Sequence, residues 1–144
     1  MLCGFGSPLM EYMSTSGVVL CLTGGTGNAK TGAMYAGLSI FGNPKELSVF
    51  DATDNGMTGR YLGLHSLMLG IDEISNKDGK VLSQLIHKIS HGKAKIRMQA
   101  SVNAEREYEQ SAALIALLTS NRSIYGKLEA EYANPDGEAA RVIE

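Results

Sequence analysis

The stretch that decides the fold reads Val18-Val19-Leu20-Cys21-Leu22-Thr23-Gly24-Gly25-Thr26-Gly27-Asn28-Ala29-Lys30-Thr31. Its first five residues form an unbroken apolar run with β-branched members, the mark of a strand buried on both faces of a parallel sheet. A glycine-rich turn follows directly. From Thr31 the pattern becomes helical, with Met34, Leu38 and Phe41 at helical spacing until Gly42-Asn43-Pro44 stops it. A strand that enters such a turn and leaves it as a helix aims backbone N–H groups and a helix N-terminus at one point, which suits an anion.

The turn fits the P-loop pattern G-x-x-x-x-G-K-[ST] as Gly24-x-x-x-x-Ala29-Lys30-Thr31. The candidate nucleotide-binding residues are therefore Gly24, Gly25, Thr26, Gly27, Asn28, Ala29, Lys30 and Thr31. In this reading Lys30 meets the β- and γ-phosphates of ATP as a point charge, and the Thr31 hydroxyl is a ligand for Mg2+. Ala29 stands where the pattern has its last glycine. Its methyl is expected to be tolerated if the local φ is negative and the phosphates are not crowded. The bland alternative is a glycine-rich turn with an incidental lysine.

Working outward, Leu47–Ala52 reads as a second strand, Thr53-Asp54-Asn55-Gly56 as a loop, and Met57–His65 as a helix. Leu67-Met68-Leu69-Gly70-Ile71-Asp72-Glu73 reads as a buried strand ending in two acids. Asp78–His91 is amphipathic, with Val81, Leu82, Leu85, Ile86 and Ile89 on one face. Ala112–Thr119 is a fourth apolar strand closed by Ser120-Asn121. A polar tail follows, with a turn at Asn134-Pro135-Asp136-Gly137, and Arg141-Val142-Ile143-Glu144 reads as a fifth strand cut short. Alternating strands and helices imply an α/β fold with a mostly parallel sheet covered on both faces, and ligands in such folds bind at the carboxyl ends of the strands.

Asp72-Glu73 lies at such an end. Beside a phosphate loop, the aspartate is placed to hold Mg2+ and the glutamate to act as general base on a water; on their own the two acids read as a solvated strand end. Asn121, at the end of the fourth strand, is a candidate to orient the water or touch the γ-phosphate, or else a turn-forming asparagine. Gly92-Lys93-Ala94-Lys95-Ile96-Arg97-Met98 alternates charge with apolar residues, so a strand here puts Lys93, Lys95 and Arg97 on one face. Three cations in a row suit a nucleic-acid backbone; they equally suit an edge strand protected by lysines. His87 and His91 share a helix face with no third metal ligand nearby in the sequence, and Met34, Met57, Met68 and Met98 read as core filler.

Composition bounds the rest. The 144 residues suit one domain, and 44% hydrophobic with 19% charged residues is ordinary for a globular chain. A net charge of −2 gives no global basic field, so any nucleic-acid contact must be local. Cys3 and Cys21 make no disulfide framework, and Cys21 is expected to pack as a small hydrophobe. No apolar run is long enough to span a membrane and no basic leader precedes an apolar segment, so a cytoplasmic chain without a membrane partner is expected.

The flanking residues carry a resemblance. Phe5-Gly6-Ser7-Pro8-Leu9-Met10, Gly17-Val18-Val19-Leu20 and the Gly24–Thr31 turn are followed in order by Phe41-Gly42-Asn43-Pro44, Thr53-Asp54-Asn55-Gly56, Ile71-Asp72-Glu73-Ile74, His91-Gly92-Lys93 and Thr119-Ser120-Asn121. This succession resembles the helicase-like domain of phage and plasmid primase-helicases, a family related to the superfamily three helicases. The resemblance implies a three-layer P-loop NTPase fold of RecA/AAA-like type, with residues 1–16 as a helical lead-in, 92–104 as a basic hairpin and the fifth strand truncated beside the phosphate-loop strand. It implies an ATP- and Mg2+-dependent DNA helicase module of phage or mobile-element replication. Such a module works as a ring, often a hexamer, on single-stranded or forked DNA in the cytoplasm of a bacterial or phage-infected cell. It assigns Lys30 and Thr31 to the nucleotide, Asp72 and Glu73 to the metal and water, Asn121 to a polar sensor, and Lys93, Lys95 and Arg97 to a DNA-gripping hairpin. Arg141 takes the place of an arginine finger serving a neighbouring subunit. A P-loop kinase is the alternative enzyme, but Arg60, Arg97, Arg106, Arg122 and Arg141 are scattered rather than gathered in a lid. An inactive nucleotide-binding or interaction fragment is the alternative outside enzymes, suggested by Ala29 and the short last strand.

Overall fold

A computed structural model describes residues 2–50, 53–93, 111–131 and 136–144. The chain begins with helix α1 (Leu2–Gly6) and a 3₁₀ helix, Ser7–Tyr12. Strand β1 (Gly17–Thr23) then leads into the glycine-rich turn and α2 (Lys30–Leu38). Next come α3 (Pro44–Leu47), β2 (Ser48–Val49), α4 (Asp54–Leu64) and β3 (Leu69–Ile71). A 3₁₀ turn, Ile74–Asn76, precedes α5 (Gly79–His91). The chain closes with β4 (Leu114–Ser120), α6 (Ile124–Glu131), α7 (Asp136–Ala139) and β5 (Val142–Ile143).

The five strands form one sheet in the order β2-β3-β4-β1-β5, with each pairing parallel. The expected α/β class with a parallel sheet is therefore observed. Strand alternation explains the layers. Val19 and Cys21 of β1, with Leu114, Ala116 and Leu118 of β4, face a core completed by α4, α5 and α6. Leu20 and Leu22 of β1, with Leu117 of β4, face Met34 and Leu38 of α2. Cys21 is buried, and burial with the nearby Glu144 carboxylate pushes its thiol up to about 12. It stays protonated and packs as the small hydrophobe expected. Met34, Met57 and Met68 are core residues; Met98 lies outside the described residues.

Several local expectations are corrected. The segment Thr53-Asp54-Asn55-Gly56 is not a loop: Thr53 caps α4, its hydroxyl accepting from the Gly56 N–H at 3.3 Å, so the helix starts earlier than its apolar pattern. Asn43-Pro44 ends one helix region but also opens α3, with the Asn43 side chain accepting from the Lys45 N–H. Leu47 belongs to that helix and β2 spans Ser48–Val49, while Asp51 and Ala52 lie outside the described residues. The helical lead-in opens with α1 and continues as a 3₁₀ helix from Ser7. The tail after Asn121 holds α6, because Ile124 and Leu128, four apart, are fully buried. Of the segment read as a hairpin, Lys93 pairs antiparallel with Ser111, while residues 94–104 lie outside the described residues.

Helix α5 ends at Gly92, whose φ of 69° is left-handed and whose N–H bonds the Lys88 carbonyl. A Cβ on Gly92 would stand 2.5 Å from the Ser16 Cβ and 2.7 Å from the Ala112 carbonyl oxygen. Gly92→Ala is therefore expected to lower unfolding stability by about 1–3 kcal/mol, read as an earlier urea midpoint. An unchanged midpoint would contradict this close packing between α5 and the start of β1 and β4.

Candidate functional site

β1 and β4 pair over their whole length, with Thr23 opposite Ser120. The residues that follow each strand therefore emerge side by side at the carboxyl edge of the sheet. From β1 the chain enters the glycine-rich turn, where Gly27 takes φ 88°, a conformation that side chains resist. The turn brings Lys30, the first residue of α2, back over its own start. The Lys30 ammonium donates to the carbonyls of Gly24 and Gly25, both at 2.8 Å, and to the Asn121 Oδ1 at 2.9 Å. Three donors meet three acceptors, and all three acceptors are neutral oxygens. The cation is held in place without being neutralised by them.

Next to it, Thr31 sits against Asp72, its hydroxyl donating to the two carboxylate oxygens at 3.0 and 3.2 Å. Ile71 pairs with Leu118 in the sheet, which sets Asp72 beside Thr119. The Thr119 hydroxyl donates to Asp72 Oδ1 at 2.6 Å and accepts from the Glu73 N–H at 2.9 Å. Asn121 completes the circuit, its Nδ2 donating to Glu73 Oε2 at 3.0 Å. The other carboxylate oxygen, Oε1, is buried with no hydrogen-bond partner. One connected network thus joins Lys30, Asn121, Glu73, Thr119, Asp72 and Thr31. A cation and two carboxylates share it without a direct ion pair in its hydrogen bonds.

Thr119 is the member that sequence reading did not single out for chemistry. Its signal was the Thr-Ser-Asn run closing an apolar strand, but its partner depends on register between β3 and β4. Asp72 and Thr31 offer hard oxygen donors of the kind Mg2+ takes. Among the described residues no group of three His, Cys, Asp or Glu is placed to hold a metal. The donor set therefore fits an ion that brings further oxygen ligands with it. His87 and His91 stack, with ring centroids 5.9 Å apart.

Residues 1–109 match the family described as Domain of unknown function (DUF927). The chain belongs to that family. A solved structure described as "SCCmec type IV Cch - active helicase" shares this fold with a TM-score of 0.71 and 22% sequence identity; the match covers 99% of this chain and 25% of that one. The chain thus spans about a quarter of that protein's length. No curated protein matches.

In this DUF927 chain the remaining candidates lie elsewhere. Arg141 precedes β5, whose Val142 pairs with Val19. It stands at the amino end of the sheet, on the order of 20 Å along the strands from the glycine-rich turn by strand rise. Its guanidinium donates to the Gly137 carbonyl. Lys93, just past the end of α5, is also at the amino end, opposite Ser111 before β4. Lys95 and Arg97 lie outside the described residues. Among the described residues no helix is long and apolar enough to cross a membrane.

Ala29 does not meet the condition under which its methyl is tolerated. Its φ is +54°, the left-handed value a glycine takes freely, not the negative value under which a methyl is tolerated without strain. The Ala29 carbonyl accepts from the Ala33 N–H at 2.9 Å as α2 begins. Ala29→Gly is expected to raise stability by about 0.5–1 kcal/mol, read by urea unfolding. A loss of stability would mean that the strain is absent.

Proposed function

We propose that this chain is the ATP-binding and ATP-hydrolysing core of a ring-forming DNA helicase that serves phage or mobile-element replication. The observation that carries the reading is the Lys30 ammonium, held by neutral oxygens at the mouth of a glycine-rich turn, beside the Thr31–Asp72 pair.

A phosphate oxygen is a stronger partner for a lysine ammonium than an amide oxygen. The Lys30–Asn121 bond is the one such an oxygen would replace, since Gly24 and Gly25 are part of the turn itself. The residues of the turn, Gly24, Gly25, Thr26, Gly27, Asn28 and Ala29, supply the backbone that wraps the phosphates. Thr31 and Asp72 would hold Mg2+, which when bound neutralises charge on the phosphates and their leaving oxygen. Glu73 is the general base of this reading: its Oε1 accepts no hydrogen bond, and an attacking water is the donor hydrolysis requires. Asn121 holds Glu73 Oε2 and, until a phosphate oxygen takes its place, Lys30, so its side chain would sense whether the phosphate is bound.

The helicase part of the proposal draws on the shared fold and on the order of motifs. Arg141 lies too far from Lys30 to serve its own chain's site, so in a ring it serves a neighbour's, as an arginine finger does. Lys93 begins the basic segment that, with Lys95 and Arg97, would grip a single DNA strand. The proposed setting is the cytoplasm of a bacterial or phage-infected cell.

The test is ATP turnover with Mg2+, with and without single-stranded DNA. The expected result is turnover that rises with DNA and falls at least a hundredfold in Lys30→Ala, on the scale of losing a transition-state cation. Binding that depends on Lys30 but gives no turnover would replace the motor with a nucleotide-binding interaction module.

A further inference from the structure

Lys127 lies on α6, outside the network of Lys30, Asp72 and Asn121. Its ammonium donates to three backbone carbonyls of one turn: Ile74 at 3.4 Å, Lys77 at 2.9 Å, and Ser75. Ile74 and Ser75 belong to the 3₁₀ segment Ile74–Asn76, which begins at the residue after Glu73, and Lys77 is its C-cap. A lysine on an exposed helix face ordinarily extends into water. This one is half-buried and spends its three donors on main-chain oxygens. Burial and Arg122 lower its pKa, while Asp78 and Glu73 oppose that shift.

The turn needs such a hold. Glu73 has φ +55° and ψ 67°, left-handed backbone that a glutamate keeps only where its surroundings dictate it. On its amino side, Asp72 is tied by its N–H to the Val49 carbonyl, and Glu73 by its own N–H to the Thr119 hydroxyl. On the other side Ile74 is buried in the core and the Ser75 hydroxyl meets that of Ser120. Lys127 adds the bonds that hold the carbonyls of this short 3₁₀ turn. The same turn carries Ser75, whose hydroxyl accepts from the Asn121 N–H at 2.6 Å. Loosening it would move both ends of the Glu73–Asn121 bond.

We infer that Lys127 is a positioning residue: it fixes the turn after Glu73 and so sets where the Glu73 carboxylate and Asn121 stand. The consequence for turnover rests on the hydrolytic role proposed for Glu73; the consequence for backbone order does not.

The test compares Lys127→Met, which keeps the stem, with Lys127→Arg, which keeps the donors. Lys127→Gln replaces the first if it does not fold. Amide hydrogen exchange is measured at Glu73 and Asn121, with Leu118 of β4 as reference. Exchange at Glu73 and Asn121 should quicken roughly tenfold or more relative to Leu118 in Lys127→Met, as loss of charged hydrogen bonds implies, and stay near the parent rate in Lys127→Arg. Turnover of Mg2+–ATP should fall by about the same factor in Lys127→Met with nucleotide affinity kept, and recover in Lys127→Arg. Unchanged exchange at both amides, or quickening spread evenly through β4, would overturn the inference. If the parent chain binds no nucleotide, the proposed function fails, and the exchange rates alone still decide the role of Lys127.

Discussion

The parallel register between β1 and β4 is the constraint on which the rest of this molecule depends. Because Thr23 stands opposite Ser120, the turn after one strand and the asparagine after the other leave the sheet as neighbours. That adjacency lets the Asn121 oxygen reach the Lys30 ammonium across 91 residues of sequence. The β3–β4 register then sets Asp72 beside Thr119 in the same way. Apolar burial, which is non-directional, drives the sheet together. The ladder turns that collapse into positions fixed closely enough for a polar network to close.

The site carries part of the fold's cost, with His65, Arg60 and Ser90 carrying more of it elsewhere. Ala29 and Glu73 both hold left-handed backbone without being glycine, and one oxygen of Glu73 is buried without a partner. The rest of the fold offsets them. Tyr61 shows how: its hydroxyl donates to the Ala112 carbonyl at 2.8 Å inside the core, and burial pushes its pKa up to about 12. At the far edge, the Glu144 carboxylate accepts from the N–H groups of Ile124 and Tyr125 at the start of α6. The edge strand is thereby tied to the helix that carries Lys127.

The architecture was legible where burial is complete and periodic. The β1 and β4 runs are apolar on both faces, and α5 repeats its apolar face over three turns, so neither depended on distant context. Elements that rely on a cap or on two apolar residues were not legible in the same way. The start of α4 looks like a turn because Asp-Asn-Gly favours turns, and only the Thr53 cap makes it helical. α6 hides in a polar stretch because Ile124 and Leu128 carry its whole buried face. In the candidate site the residue types were readable from spacing, whereas the sign of φ at Ala29 was not, since the closure between β1 and α2 sets it. Thr119 and Lys127 were missed because their partners, Asp72 and the turn after Glu73, are distant in sequence and become neighbours only through the sheet and the packing of α6.

The measurement that bears most directly on the account is calorimetric titration of ATP into the chain, with Mg2+ and again in excess chelator. The account predicts saturable binding that requires Lys30 and weakens when Mg2+ is removed, because Thr31 and Asp72 then lose the ion that joins them to the phosphates. Absence of binding in both conditions, or binding equally strong in Lys30→Ala, would contradict it.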